Sequence, residues 1–287
     1  MKNVIITGAN SGLGFEAAKK IAANKEYRVI LACRNKVKAQ AAKEDIINAT
    51  GNENVEVQII DTSSFESVRN FAKNIIDSGI KLDVLINNAG ISPMRGTGLT
   101  ADGFDIVFET NYLGHFLLTQ LLLPVMNADC RIINVTSDMH NPPYGLTWSG
   151  VEKIAYGEVD TRSRYAYSKL CMIYFTHALV NYFEKTDKTF VANSFNPGFM
   201  ADTNFSQGSG KAREQMVKLT APDRDRYSTL AQSSTALAEV ATSPALADET
   251  DQYFDRSTKT IPSSDLSYNK HNAEELWNES LKFCHLL

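Results

Sequence analysis

The chain begins with an apolar strand that runs directly into a glycine-rich turn. Lys2–Thr7 reads KNVIIT, and Gly8, Gly12 and Gly14 follow at once. Glycine permits a tight turn and lets backbone approach a ligand closely. The helix expected next, from Leu13 to about Ala23, would point free N–H groups and the positive end of its dipole at an anion. This order of strand, turn and helix predicts the first unit of a parallel sheet, with a site for a pyrophosphate.

The spacing of these glycines is Gly-x3-Gly-x-Gly. It differs from the usual dinucleotide pattern G-x-G-x-x-G, and it lacks the Gly-Lys-Ser/Thr ending of the loop that binds ATP or GTP. A turn without a ligand therefore stays open as an alternative. The position of the turn, directly after the first strand, favours the binding interpretation.

Strands and helices alternate along the rest of the chain. Apolar runs of strand length lie at Lys2–Thr7, Tyr27–Ala32, Val55–Ile60, Leu82–Ile86, Arg131–Val135 and Phe190–Phe195, and a seventh strand includes Tyr253 and Phe254. Helical spacing of apolar residues follows at Ala39–Asn48, Phe65–Ile76, Gly103–Met126 and Tyr165–Phe183, with a closing helix at Asn272–Phe283. This alternation predicts one α/β domain over residues 1–287, with a doubly wound, seven-stranded parallel sheet and helices on both faces.

The composition narrows the possible partners and surroundings. A formal net charge of -4, without a basic stripe interleaved with aromatic residues, argues against nucleic acid. The longest apolar stretch, Phe116–Met126, contains polar residues and a proline and is too short to span a bilayer. A first strand at residue 2 or 3 leaves no room for a signal peptide. The four cysteines form no C-x-x-C pair, so we expect reduced thiols, a cytoplasmic protein and no metal site.

The segment YAYSK, Tyr165–Lys169, places a phenol and an ammonium one helical turn apart. Residues four apart share a helix face, so the two groups can lie close together. Positive charge lowers the pKa of a phenol from its ordinary value of about 10, which makes the phenol a better acid for proton transfer. A Tyr and a Lys also fall four apart by chance in many helices, so the pair alone does not establish catalysis.

Several motifs together resemble the short-chain dehydrogenases/reductases. They are TGANSGLG at Thr7–Gly14, NNAG at Asn87–Gly90, Asn111 in NYLGHF, Ser137 at the end of INVTS, YAYSK at Tyr165–Lys169 and NPG at Asn196–Gly198. Their order and spacing match that family over nearly the whole chain. The phrases LACR, TADGFD and NYLGHFLLTQLLL further resemble the branch of retinol dehydrogenases, carbonyl reductases and protochlorophyllide reductases. The resemblance implies a single-domain Rossmann fold and a nicotinamide cofactor.

The resemblance also implies a catalytic role for four residues. Tyr165 would protonate the substrate oxygen as a hydride reaches the carbonyl carbon, and Lys169 would lower the pKa of that phenol and hold the nicotinamide ribose. Ser137 would hydrogen-bond the substrate oxygen and stabilise the developing negative charge. Asn111 would position a water through which Lys169 passes a proton to solvent. As alternatives, Ser137 could cap a strand end and Asn111 could be a polar residue satisfied within its helix.

The end of the second strand bears on the choice between NAD and NADP. An acidic residue there would bond the adenosine 2′-hydroxyl of NAD, whereas an Arg accommodates the 2′-phosphate of NADP. The sequence has Cys33 at the acidic position and Arg34 next to it. A neutral residue does not repel phosphate, and a guanidinium offers a bidentate charged partner. We therefore expect NADP(H) in preference to NAD(H), although Arg34 could instead begin a solvated helix.

The remaining cofactor contacts are assigned by resemblance. The glycine-rich turn would hold the pyrophosphate, Asp61 and Thr62 would flank the adenine, and residues 88–90 would line the adenosine ribose. After NPG, Thr203 is the expected hydroxyl contact, since Asp202 occupies the more common position. The full set of expected cofactor-binding residues is Gly8, Asn10, Ser11, Gly12, Leu13, Gly14, Arg34, Asp61, Thr62, Asn88, Ala89, Gly90, Tyr165, Lys169, Pro197, Gly198, Met200 and Thr203.

Two segments are candidates for substrate recognition. Residues 138–164 carry His140, Tyr144, Trp148 and Tyr156 together with two prolines, which indicates a pocket for a bulky apolar carbonyl or alcohol. A packed surface loop without a substrate role explains the same composition. Residues 199–226, with Gly208 and Gly210, could form a lid.

Three functional hypotheses stay open on the sequence. The first is an NADPH-dependent carbonyl reductase or alcohol dehydrogenase, and the second is a protochlorophyllide-type double-bond reductase. The second is weaker because Asn87-Asn88 stands where those enzymes usually have a Cys, and their long insertion ahead of the Tyr is missing. The third is a redox sensor or scaffold that binds NADP without turnover. Either a monomer or a homodimer fits the sequence.

Overall fold

Seven parallel strands form one sheet in the computed structural model, which describes residues 1–92, 96–186, 188–200 and 227–287. The strands are β1 Lys2–Thr7, β2 Tyr27–Cys33, β3 Val55–Ile59, β4 Leu82–Asn87, β5 Met126–Val135, β6 Val191–Asn196 and β7 Tyr253–Asp255. Their order in the sheet is β3-β2-β1-β4-β5-β6-β7. The chain therefore builds outward in one direction from β1 and then in the other from β4, so the predicted doubly wound parallel sheet is confirmed.

Helices cover both faces of this sheet. They are α1 Gly12–Ala22, α2 Lys36–Thr50, α3 Phe65–Asp77, α4 Ile106–Phe108, α5 Gly114–Leu122, α6 Val151–Ala155, α7 Arg164–Phe183, α8 Leu230–Thr242 and α9 Lys270–Phe283. A π-helical turn, Glu109–Leu113, joins α4 to α5. Within the described parts of the chain, no helix is both long and apolar enough to cross a membrane.

The alternation of side chains along each strand produces two apolar layers. In β1, Ile5 packs in the layer with α3, α5, α7 and α9, whereas Val4 and Ile6 pack in the layer with α1, α2 and α8. All three side chains are fully buried. Because successive strand residues point to opposite faces, a sheet covered on both sides needs continuous apolar runs such as KNVIIT. One sheet with two such layers is the predicted single Rossmann-fold domain.

The long helix predicted at Gly103–Met126 is wrong at both ends. Asp105 begins the helical segment, since its side chain accepts hydrogen bonds from the backbone N–H groups of Val107 and Phe108, both at 3.0 Å. At the other end α5 stops at Leu122, and the residues around Pro124 form a short 3-10 turn before β5. Proline has no N–H and clashes with the preceding turn, which explains why the helix stops there.

Within the described residues, two helices were missed by the sequence analysis. Helix α8 reads LAQSSTALAEVAT, and its buried residues are mostly Ala and Ser with Leu237 and Val240. Small residues let α8 pack closely against α1, but they give no strong stripe of large apolar side chains. The short helix α6 lies inside the segment 138–164 that the sequence analysis treated as a loop.

The closing helix α9 covers the outer face of α5 and α7. The ring centroid of Trp277 lies 5.3 Å from that of Phe116 and 6.3 Å from that of Phe175. The Tyr112 hydroxyl and the Ser280 hydroxyl are 2.8 Å apart and hydrogen-bonded. The chain's own C-terminus therefore buries the apolar surface of the two central helices.

Candidate active site

The predicted site residues gather at the carboxyl edge of the sheet, around the point where the strand order reverses between β1 and β4. The glycine-rich turn follows β1, Asn88–Gly90 follow β4, Ser137 follows β5 and Pro197–Gly198 follow β6. In a doubly wound sheet, ligands bind in the crevice at this reversal. The fold thus brings the sequence motifs to one edge.

The glycine-rich turn packs tightly against the end of β4. Gly8 has a φ of 68°, a conformation that side chains other than glycine rarely adopt. A Cβ at Gly14 would lie only 2.5 Å from the Asn88 amide nitrogen. Ser11 precedes α1 in an extended conformation, and within the described residues its side chain makes no capping bond to the helix. The first N–H groups of α1 are therefore available to an anion, which fits the pyrophosphate of a dinucleotide.

Two other members of the predicted turn differ in how they can contact a ligand. The side chain of Leu13 packs in the apolar layer beneath α1, so only its backbone can face the crevice. Asn10 is half-buried, and its backbone lies beside the Cys33 sulfur at the end of β2.

The hydroxyl of Thr7 links the ends of β1 and β4. It accepts hydrogen bonds from the backbone N–H groups of Asn88 and Ala89, both at 2.8 Å, and lies 2.9 Å from Nε2 of His115. The Asn88 amide in turn donates to the Thr7 carbonyl at 2.8 Å. This network fixes the backbone that the sequence analysis assigned to the adenosine ribose.

His115 extends this network toward Asn111. The ring is fully buried, and burial lowers its pKa to about 3, so the imidazole is neutral near pH 7. Its Nδ1 lies 3.2 Å from the Asn111 carbonyl oxygen, which can only accept, so Nδ1 carries the proton. Nε2 must then accept a hydrogen bond from the Thr7 hydroxyl. The sequence analysis missed both His115 and Thr7, although a histidine four residues after Asn111 in an apolar run was a usable signal.

The end of β2 presents Cys33 and Arg34 in different surroundings. Cys33 is buried, and burial raises the pKa of its thiol to about 11, although hydrogen bonds from the Ala9 and Asn10 backbone oppose that rise. The Arg34 side chain is 70% exposed and its Nη1 lies 3.7 Å from Oδ2 of Asp61. Because Arg34 is exposed and its ion pair with Asp61 is long, the guanidinium can also reach an anion at this edge.

Asp61 and Thr62 lie directly after β3. One oxygen of Asp61 accepts from the Ser63 backbone N–H at 3.0 Å and from its hydroxyl at 2.6 Å. Thr62 is nearly fully buried. These contacts keep the turn after β3 close to Arg34 at the outer end of the crevice.

Tyr165, Lys169 and Ser137 meet between β5 and α7. The Ser137 and Tyr165 side chains lie next to each other, and Nζ of Lys169 lies 5.7 Å from the centroid of the Tyr165 ring. Lys169 is 4% exposed and donates to the Val135 carbonyl at 2.9 Å. The structure therefore places a serine hydroxyl, a phenol and an ammonium next to one another, as the sequence pattern required.

The pKa of Tyr165 differs from the expected direction. Burial raises it above the ordinary value, which outweighs the lowering effect of the Ser137 hydrogen bond, and the Asp138 carboxylate raises it further. Burial also lowers the pKa of Lys169 to about 8. The expectation of a lowered phenol pKa is therefore wrong for the protein alone, because burial raises the pKa of Tyr165 more than its neighbours lower it.

Asn111 lies in the π-helical turn rather than in a regular helix. Its side-chain oxygen accepts from the Ile91 backbone N–H at 2.7 Å, and its Nδ2 donates to the Ile91 carbonyl and the Ser168 hydroxyl at 3.1 and 3.0 Å. Gly90 packs directly against it, since a Cβ there would lie 3.2 Å from the Asn111 oxygen. Asn111 thus joins the segment after β4 to helix α7.

A buried ion pair holds the start of α7 against the start of α4. Arg164, the first residue of α7, pairs with Asp105, and their side chains are 10% and 1% exposed. Arg164 also donates to the Gly96 carbonyl at 3.3 Å. A Cβ at Gly157 would lie 2.9 Å from Asp105, so the segment after α6 packs on the pair. The sequence analysis missed this pair, which directly precedes Tyr165.

The NPG segment is anchored by Asn196. Its Nδ2 donates to the carboxylates of Asp138 and Asp255, at 2.5 and 2.7 Å, and its Oδ1 accepts from the Gly198 N–H at 3.0 Å. Pro197 is fixed through its carbonyl, which accepts from the Ser233 hydroxyl at 2.6 Å. Met200 packs at the edge of the apolar layer. Thr203 and the rest of the proposed lid beyond residue 200 lie outside the described residues.

The aromatic residues of segment 138–164 have different roles. His140 is buried and holds the turn after β5, because its Nδ1 lies 2.8 Å from the Ser137 carbonyl and its Nε2 accepts from the Ser264 N–H at 3.1 Å. Trp148 packs on α7 and donates to Glu275 at 2.7 Å. Tyr144, in contrast, is 55% exposed. Packing within the fold explains His140 and Trp148, so only part of the aromatic composition of this segment can be attributed to a substrate pocket.

Comparisons with known proteins identify the family. A family model described as short chain dehydrogenase matches residues 2–149. Human retinol dehydrogenase 13 is 34% identical over 98% of this chain and 84% of its own length. The chloroplastic short-chain dehydrogenase TIC 32 A from Brassica napus is 33% identical over 97% of this chain and 87% of its own length. The chain belongs to the short-chain dehydrogenases, oxidoreductases that use nicotinamide cofactors.

The fold comparison agrees with this assignment. A crystal structure of an uncharacterized protein from Mycobacterium paratuberculosis superposes with a TM-score of 0.76 and 27% identity, covering 99% of this chain and 94% of that one. The similarity extends over the whole sheet and therefore includes the edge at which the site residues meet.

Proposed function

We propose that the chain is an NADPH-dependent carbonyl reductase or alcohol dehydrogenase, which transfers a hydride between NADP(H) and a bulky apolar ketone, aldehyde or alcohol. The observation that carries the proposal is the contact of Tyr165 with Ser137, with Lys169 behind the ring, at the same sheet edge as the glycine-rich turn. A scaffold or sensor needs the turn but not the polar triad beside it.

Held by the glycine-rich turn and by residues 88–90, a nicotinamide cofactor would supply or accept a hydride at the carbonyl carbon of the substrate. The Tyr165 hydroxyl donates its proton to the carbonyl oxygen as that oxygen gains charge, and it takes the proton back in the oxidative direction. The Ser137 hydroxyl donates a hydrogen bond to the same oxygen. Lys169, with a pKa of about 8, is mostly protonated at pH 7, and its charge stabilises the phenolate that remains.

Asn111 supports this chemistry by its position. Its side chain bonds both the segment after β4 and Ser168 in α7, and the Ser168 hydroxyl donates to the Tyr165 carbonyl at 2.8 Å. The turn at Asn111 therefore sets the distance between the expected cofactor loop and the helix that carries the acid. We assign Asn111, Ser137, Tyr165 and Lys169 to catalysis on this basis.

The preference for NADP(H) is supported by the end of β2. The Arg34 guanidinium is exposed, and the neutral Cys33 thiol stands where an acid would repel a 2′-phosphate. The substrate class is supported by the names of the relatives, since the human and mouse proteins are retinol dehydrogenases. Tyr144, seven residues after Ser137 in the chain, is 55% exposed and offers such an apolar molecule a surface to contact.

We also propose a monomeric protein in the cytoplasm. The C-terminal helix α9 occupies the outer face of α5 and α7, which leaves that face unavailable to a second copy. The four cysteines are free and buried, as in a reducing compartment. Light scattering on a gel-filtration column tests the oligomeric state, and a dimeric mass at micromolar concentration would contradict it.

The test of the reaction compares two tyrosines of one helix. Oxidation of NADPH is followed with a panel of aryl ketones, aldehydes and retinoids for the wild type, Tyr165→Phe and Tyr167→Phe. Tyr167 is the matched control, because its hydroxyl donates to the Thr147 carbonyl at 2.7 Å and packs away from the site. We expect Tyr165→Phe to lower kcat at least a hundredfold while the Kd for NADPH stays within about twofold.

The Tyr167 control should lose less than about threefold in kcat. Equal losses in the two variants, or full activity in Tyr165→Phe, would contradict the assignment of the acid. Tight NADPH binding without turnover of any carbonyl by the wild type would instead favour the sensor hypothesis.

A further inference from the structure

Glu109 is a buried carboxyl at the first position of the π-helical turn that carries Asn111. Its side chain is fully buried. One oxygen accepts a hydrogen bond from the Thr100 hydroxyl. Among the described residues no donor reaches the other oxygen, Oε1. An ionised carboxylate would be unfavourable here, because burial removes water from Oε1 and no hydrogen-bond donor replaces it.

The answer lies in the contact between Glu109 and Asp102. The carboxyl group of Asp102 lies beside that of Glu109, and two adjacent carboxyl groups can hydrogen-bond to each other only if one of them carries a proton. Asp102 is exposed to solvent, and one of its oxygens accepts from the Phe65 N–H at the start of α3 at 2.8 Å. The proton therefore belongs to Glu109, since water and the helix N-terminus favour the charge on Asp102.

We propose that Glu109 is a positioning residue for Asn111, and that it acts as a neutral acid that donates a hydrogen bond to Asp102. The inference rests on the proposed function for its catalytic consequence, but the proton itself is a property of the fold. The acid links the π-helical turn to the start of α3. Two residues later, Asn111 bonds Ser168 of α7. Glu109 thus fixes the start of the π-helical turn. That turn, through Asn111, connects the segment after β4 with helix α7, which carries Tyr165.

The charged groups around Glu109 explain why it must stay neutral. Asp102 lies in the preceding turn and Asp61 lies after β3, and both repel a negative charge at Glu109. Cys284, which follows α9, stays a neutral thiol because burial raises its pKa, and Arg69 of α3 donates to its carbonyl at 2.5 Å. Loss of the Glu109 proton would therefore add a second carboxylate beside Asp102.

The sign of the pH dependence follows from these contacts. Burial, with Asp102 and Asp61, raises the pKa of Glu109 from 4.5 to about 8. Between those values the folded chain holds a proton that the unfolded chain has released, so rising pH destabilises the fold over this range. Above pH 8 both states are ionised and the contribution no longer changes. A glutamine at this position has no such slope.

Thermal unfolding across pH 5 to 9 tests the protonation state without any assumption about activity. The chains compared are the wild type, Glu109→Gln and the control Glu66→Gln, which removes an exposed carboxylate from the first turn of α3. Glutamine keeps an acceptor for Thr100 and gains N–H donors for Asp102. We expect the Tm of the wild type to fall by about 5–10 °C relative to Glu109→Gln between pH 5 and pH 8. Parallel Tm curves for these two chains would overturn the proposal.

A second variant keeps the test valid if Glu109→Gln folds poorly. Asp102→Asn removes the nearby negative charge and offers an N–H donor to an ionised Glu109. The pH-dependent loss of Tm should then be at least halved relative to the wild type, and an unchanged loss would overturn the shared proton.

The positioning role is measured by kcat. Because ionised Glu109 would be repelled by Asp102, the ratio of kcat between the wild type and Glu109→Gln should fall at least fivefold from pH 6 to pH 9. The same ratio for Glu66→Gln should stay constant, and a constant ratio for Glu109→Gln would overturn the positioning role. If no carbonyl is turned over at all, the proposed function fails while the Tm curves still decide the proton.

Discussion

Replacing Asp105 by Asn removes the counter-charge of Arg164 with almost no change in side-chain volume. The asparagine oxygen can still accept the N–H groups of Val107 and Phe108 that begin α4, so the helix keeps its cap. The substitution instead affects Arg164, whose side chain is only 10% exposed and loses the Asp105 carboxylate as its partner. Removing one partner of a buried ion pair typically costs about 3–5 kcal/mol, and we expect Asp105→Asn to lie in that range.

The converse variant, Arg164→Gln, should cost less. The Asp105 carboxylate that remains still accepts two backbone N–H groups and lies at a helix N-terminus, where negative charge is favourable. We expect a loss of about 1–3 kcal/mol. Since the double variant leaves no unpaired charge, its loss should be smaller than the sum of the single losses by about 2 kcal/mol.

Equilibrium unfolding in urea measures these differences. Trp148 and Trp277 report on the region, since Trp148 packs against α7 and Trp277 belongs to the covering helix α9. The unfolding free energies of the four chains give the coupling directly, and 0.5 M salt should change it little because the pair is buried. Additive losses within about 0.5 kcal/mol would refute the reasoning, as would an Arg164→Gln loss larger than that of Asp105→Asn.

Three further predictions concern the crevice and its charges. Arg34→Ala should raise the Kd of NADPH about 10- to 100-fold and leave the Kd of NADH within twofold, as a fluorescence titration of both cofactors would show; equal changes would contradict the role of the guanidinium. Thr7→Val should lower the Tm and weaken NADPH binding, because it leaves two backbone N–H groups without an acceptor, whereas Thr7→Ser should restore both properties. The stability of the wild type should rise between pH 8 and pH 10.5, because only the unfolded chain holds the Lys169 proton in this range, and Lys169→Met should abolish that rise. A Tm scan that gives the wild type and the variant the same slope would contradict the lowered pKa of Lys169.

The sequence was sufficient for the features that depend on local pattern. Continuous apolar runs located each strand to within five residues. A strand that is buried on both faces is marked by such a run, without any alternation of polar and apolar residues. The glycine-rich turn and YAYSK, Tyr165–Lys169, were located for a similar reason, since each carries its chemistry in residues that are adjacent or one helical turn apart.

Features that depend on distant residues could not be read in this way. The π-helical turn at Asn111 is set by bonds to Ile91 and Ser168, and no periodicity in the sequence marks it. The proton on Glu109 depends on Asp102 and on complete burial, which only the folded chain supplies. Helix α8 was missed because small residues pack well without forming a strong apolar stripe.

The raised pKa of Tyr165 illustrates the same limit at the catalytic group. Spacing correctly placed Lys169 next to the phenol, but it could not show that burial desolvates both groups. Burial penalises the charged form of each group, so the pKa of the phenol rises and that of the ammonium falls.

The most direct test of the account follows the hydride itself. The wild type is incubated with an aryl ketone and NADPH deuterated at C4, with each C4 epimer used in turn, and the alcohol is analysed by mass spectrometry. We predict that one epimer delivers deuterium to the carbinol carbon, and that Tyr165→Phe forms almost none of this product. An alcohol without deuterium from either epimer, or NADPH consumption without an alcohol, would contradict the central claim.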